Sequence, residues 1–163
     1  MKSIVPLVVI ICLIVPACNQ SNNNQQLQAK IDSLQAKLKD TYKPGLGEFM
    51  LGIQEHHAKL WFAGINENWQ LADFEVHEIG ETLDAVKKYC TDRPEIKSLG
   101  IIDPAVNTIK AAISNQDIDK FKSGFTELTK DCNTCHKDNQ HGFNIITIPT
   151  SLPVSNQDFK PAK

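Results

Sequence analysis

Residues 69–90 read WQLADFEVHEIGETLDAVKKYC. Trp69, Ala72, Val76, Ile79, Leu83, Val86 and Cys90 recur at steps of three and four, which places them along one stripe of an α-helix. Asp73, Glu75, Glu78, Glu81 and Asp84 fall on the other faces, where they are expected to stay in water. Lys87 and Lys88 suit the negative C-terminal end of the helix dipole.

The same period repeats on both sides of this stretch. Upstream, Leu46, Met50, Ile53, His57 and Leu60 form one stripe, flanked by Phe49, Trp61 and Phe62. Asn66-Glu67-Asn68 interrupts it and offers an N-cap for the next helix. Downstream, Asp92-Arg93-Pro94 reads as a turn, and Asp103-Pro104 supplies a cap and a proline at the first helical position. Val106, Ile109 and Ile113 give a short third helix, and Ser114-Asn115-Gln116-Asp117 a further turn. The last stripe is Ile118, Phe121, Phe125, Leu128, Cys132 and Cys135. No segment alternates as a long strand would. Four apolar stripes with short connections predict an all-α chain, an up-down four-helix bundle over residues 44–140. In residues 141–163, Pro149, Pro153 and Pro161 forbid a helix. That tail is expected to run extended over the bundle, with Phe143, Ile146 and Ile148 available for burial.

The whole chain has 163 residues, a net charge of −2 and 22% charged residues. This is a globular composition with no basic surface for nucleic acid. The cysteines are Cys12, Cys18, Cys90, Cys132 and Cys135, an odd set that argues against a disulfide framework. The first two belong to export. Residues 1–17 carry Lys2 and then an apolar core from Ile4 to Val15, too short and too interrupted by Pro6 and Pro16 to span a membrane. Val15-Pro16-Ala17-Cys18 resembles a bacterial lipobox, which implies cleavage before Cys18, acylation of that cysteine and a periplasmic, membrane-anchored domain. Residues 18–43 follow as a lipidated linker and stalk. The polar run at 19–26, NQSNNNQQ, is expected to be disordered. Leu27, Ile31, Leu34 and Leu38 then trace a short helix, which either frays alone or supports a weak homodimer.

Cys132-Asn133-Thr134-Cys135-His136 is the motif that carries chemistry. Two thiols three residues apart on a helical turn reach the two vinyl groups of one haem, and the adjacent imidazole falls under the iron. A zinc site would need a second ligand pair, and the chain has none. A thioredoxin-like pair would open a helix in a βαβ context, whereas this pair ends one. A di-iron carboxylate site needs Glu-x-x-His on two helices, but Ile53, Gln54 and Phe74 stand three residues before His56, His57 and His77. The expected cofactor is one covalent haem c per chain, with Cys132 and Cys135 as attachment points and His136 as proximal ligand. Cys90 needs no role beyond packing.

With this motif near the end of its last helix, the chain resembles the cytochrome c′ class over residues 44 to about 137. The stretches YKPGLGEFM (42–50) and HHAKLWFAG (56–64) are also similar to small haem-motif lipoproteins of the Bacteroidota. The cytochrome c′ resemblance implies that the first helix of the bundle faces the other side of the iron, with either a methionine ligand or an apolar residue that leaves the iron open to NO or CO. Met50 is the only methionine after Met1, and it lies early in that helix, beside the end of the antiparallel last one. His57 is the alternative distal ligand, two turns and about 10 Å further along the axis. His56 is expected at the edge of its stripe, and His77 as a solvated partner of Glu78 or Glu81. His141 is expected near a haem propionate or over the iron. These features anticipate a membrane-tethered electron carrier with a redox protein as partner, not an enzyme. The alternative is a gas-binding haem protein with an open distal site.

Overall fold

The computed structural model describes residues 18–39, 41 and 44–162. The expected signal at 1–17 lies outside the described residues, as does the side chain of Cys18. The described chain is all-α: α1 (Cys18–Lys39), α2 (Leu46–Ile65), α3 (Trp69–Tyr89), a 3-10 helix (Pro94–Ile102), α4 (Asp103–Ser114) and α5 (Ile118–Asp138). Two compact units divide it, Met1–Tyr42 and Lys43–Lys163.

In the first unit α1 takes in the polar run 19–26, which corrects the expectation of disorder. The run holds no Pro or Gly, so helix started around the aliphatic stripe can elongate through it, one hydrogen bond per residue. Leu27, Ile31, Leu34 and Leu38 are exposed on it. Among the described residues no helix is long and apolar enough to cross a membrane.

In the second unit α2 packs on α3 and α4 on α5, while α2 also meets α5 and α3 meets α4. The stripes read from the sequence face inward: Leu60, Val76, Ile79, Ile109, Phe121, Phe125 and Leu128 are essentially inaccessible to water. Phe121 packs beside Trp61 and Phe125, with ring centroids at 6.5 and 6.1 Å, and Trp69 meets it edge-on. Truncating such an aromatic to alanine costs about 3–5 kcal/mol. Gly64 lets α2 approach that ring, because a methyl group there would overlap Phe121.

Three helices close in the same way. Asn66, Asn115 and Asn139 are the C-caps of α2, α4 and α5, and each side-chain amide donates to the carbonyl four residues back, at 2.8 Å. The next residues, Glu67, Gln116 and Gln140, take positive φ angles of 58°, 54° and 64°. The N–H groups of Asn68, Asp117 and His141 then reach back to the carbonyls of Ala63, Ala112 and His136. This is the Schellman closure, here without its usual glycine. Asn68 and Asp117 also cap the following helices, accepting from the N–H of Leu71 and Lys120.

Three expectations need correction. Glu75, placed in water by its position off the apolar stripe, is buried, because His56 Nδ1 donates to its carboxylate at 2.7 Å. The nine residues from Pro94 to Ile102, read only as a turn and its sequel, form a 3-10 helix with Leu99 and Ile102 buried. Phe143 is 84% exposed rather than buried. The tail does return to the second unit: Phe159 is buried against Phe62 (centroids 5.8 Å), and Asn68 donates to the carbonyl of Lys160.

Candidate functional site

A cavity of about 580 Å³ lies where the start of α2 meets the end of α5. That volume falls within the range of about 300–1,000 Å³ typical of small-molecule and cofactor sites. Met50 and His57 reach it from α2, and Cys132, Cys135 and His136 from α5. The 3-10 helix contributes Leu99 and Ile102, and the segment after α5 contributes His141, Phe143 and Ile146. The five haem-site residues expected from the sequence therefore share one cavity. Of the other histidines, His56 bonds to Glu75, and His77 sits exposed on α3 with Nε2 3.1 Å from Glu81. Cys90 is buried in the core.

The thiols are protonated at neutral pH. Burial pushes Cys132 up to about 12, with the nearby Cys135 and Asp131 adding to the effect. Burial also raises Cys135, against a hydrogen bond from Asn139. Both stand at the negative end of the α5 dipole, which further disfavours a thiolate. Redox-active Cys-x-x-Cys pairs have the opposite surroundings, a helix N-terminus or nearby cations that depress the thiol pKa.

His136 has a defined tautomer. Its Nδ1–H donates to the carbonyl of Asn144 at 2.7 Å, which leaves the Nε2 lone pair for a metal. His57 is arranged differently. It is buried, its ring stands 4.3 Å from that of Phe125, and burial holds its pKa down to about 4, so the ring is neutral. Thr129 Oγ1 donates to the carbonyl of Phe125 and must therefore accept from His57 Nε2–H, at 2.9 Å. Only Nδ1 of His57 keeps a lone pair.

Two residues of the wall were not anticipated as site residues. Glu95 is buried, and Arg93 donates to it at 2.7 and 3.3 Å while His141 Nε2 donates at 3.0 Å. Burial alone would raise this carboxyl, but these hydrogen bonds outweigh it and hold the pKa at about 2. Arg93 is the sole arginine of the chain, which was the available sequence signal.

Among the described residues no three His, Cys, Asp or Glu side chains gather as a metal site of their own. Comparison with protein-family models, curated proteins and solved structures finds no match to this chain.

Proposed function

We propose that this chain is a periplasmic c-type cytochrome holding one haem, tethered to a bacterial membrane by lipid at Cys18, and carrying single electrons for a partner protein. In this reading α2–α5 form the antiparallel four-helix bundle of the cytochrome c′ class. The observation that carries it is the meeting of both motif thiols with His136, its Nε2 free, in one cavity that Leu, Ile and Met side chains share with a few polar ones. Cys132 and Cys135 would attach the haem by adding each S–H across a vinyl double bond, a redox-neutral step. Bound haem supplies a reversible couple between ferric and ferrous iron.

The protein's part is placement. Asn144 fixes the His136 tautomer, and the apolar part of the wall, including Leu99 and Ile102, lowers the local dielectric. Met50 is the distal ligand we favour, since His57 already commits Nε2 to Thr129. A second reading, an open site for NO or CO, draws support from the aliphatic residues around Met50, such as Leu46 and Ile53.

Co-expression with haem-maturation machinery, followed by absorption spectra with and without CO, tests both readings. A low-spin spectrum indifferent to CO is expected, with its sulfur–iron charge-transfer band lost in Met50→Ala. Rapid CO binding to a high-spin ferrous form selects the gas-binding reading. Absence of covalent haem after maturation overturns both.

A further inference from the structure

The segment that follows α5 is tied at both ends, and the carbonyl that meets His136 lies between the ties. At the first tie, His141 donates to the ionised Glu95, and the His141 N–H closes α5 on the carbonyl of His136 itself, at 2.7 Å. A turn then brings the Asn144 N–H to the carbonyl of His141 at 2.8 Å. At the second tie the side chain of Asn133 grips the backbone of Ile146. Its Nδ2 donates to the Ile146 carbonyl, and its Oδ1 accepts from the Ile146 N–H, both at 2.8 Å. The remaining Nδ2 hydrogen goes to the carbonyl of Thr129 at 3.0 Å, so the donors and one acceptor of this amide are engaged in a single orientation. Phe143 and Ile145, between the ties, are exposed and give the segment little packing of their own. Hydrogen bonds therefore hold its course.

We propose that Asn133, an interior position of the Cys132–His136 motif with no part in attachment, is a positioning residue for His136. By clamping Ile146 it aims the Asn144 carbonyl at His136 Nδ1–H, which selects the tautomer with Nε2 open and makes the imidazole a stronger donor to a metal. The geometry stands without haem; the consequence for a bound iron rests on the function proposed above.

The test uses the mature chain, both free of haem and loaded. In the haem-free protein at mildly alkaline pH, nitrogen NMR of His136 is expected to show the Nδ1–H tautomer, and Asn133→Ala to convert it to a mixture. Asn133→Asp keeps the acceptor for the Ile146 N–H but loses the donor, and should fall between the two. In the loaded protein Asn133→Ala should raise the reduction potential while the haem stays attached. Ile146→Pro, which removes the gripped N–H outside any helix, should reproduce these shifts. An unchanged tautomer in Asn133→Ala, alongside faster proteolysis of the tail, would show that the clamp only secures the tail and would overturn the proposal. A parent chain that takes up no haem would refute the functional reading, while the tautomer measurement still decides the role of Asn133.

Discussion

At the scale of single residues, the buried polar groups set how the fold responds to acid. His57 has a depressed pKa of about 4, against about 6.5 in an unfolded chain. The unfolded state therefore binds the extra proton first, and stability falls as pH drops from about 6.5 to about 4. The loss from this one group is on the order of 3 kcal/mol. Glu95, held at about 2, adds a further loss as pH drops from about 4.5 toward 2. Denaturant titrations of the haem-free protein between pH 7 and 4 should show this decline, and His57→Leu should flatten it; an equally steep decline in the variant would assign it elsewhere. The stripe positions of Met50, His57, Cys132 and Cys135 were legible in the sequence because helical period alone puts them on one face. Glu75 was not. Its position is off the apolar stripe, and only the partner supplied by α2, His56, makes its burial tolerable.

At the scale of elements, the ends of the helices are encoded more plainly than their glycine content suggests. Asn66-Glu67, Asn115-Gln116 and Asn139-Gln140 repeat one pattern, a capping asparagine followed by a residue in the left-handed region. A β-carbon in that region is strained, by about 1 kcal/mol. Gln116→Gly should therefore raise the stability of the second unit by about that amount, read as a higher urea midpoint at unchanged slope. An unchanged or lower midpoint would show that the glutamine makes a compensating contact. The turns were recognisable from composition, but their shared geometry was not, because glycine is the usual marker of this closure. The 3-10 helix had a weak signal in Ile96, Leu99 and Ile102, spaced by threes. Three is also half of the α-helical signature, so spacing over so short a stretch cannot separate the two.

At the scale of the molecule, every core residue among the described ones lies between Ile53 and Phe159. Among the described residues of the first unit, Leu27, Ile31, Leu34 and Leu38 are exposed. Deleting residues 18–42 should leave the thermal midpoint of the second unit unchanged by circular dichroism; a drop of several degrees would show that its stability depends on those residues. The all-α class was legible from period and composition, and the gathering of both thiols with His136 from their spacing on one helical turn. The contribution of the tail was not legible. Its ties run through backbone carbonyls and side-chain amides, which leave no hydrophobic period to read. The sequence marks Asn133 only as a spacer and Asn144 not at all.

The order of these parts along the chain has a consequence in time. The segment 141–146 that closes the cavity lies downstream of the motif it closes over. A chain emerging N-terminus first therefore presents Cys132 and Cys135 before His141, Phe143 and Ile146, which complete the cavity wall, have arrived. Once folded, Cys132 is a shielded, un-ionised thiol. If haem is attached as proposed above, attachment before the tail folds back would meet accessible thiols, and the tail would complete the site afterwards. The clamp at Asn133 would then work as a latch engaged last, so that cofactor loading precedes folding and the finished protein has no need to reopen.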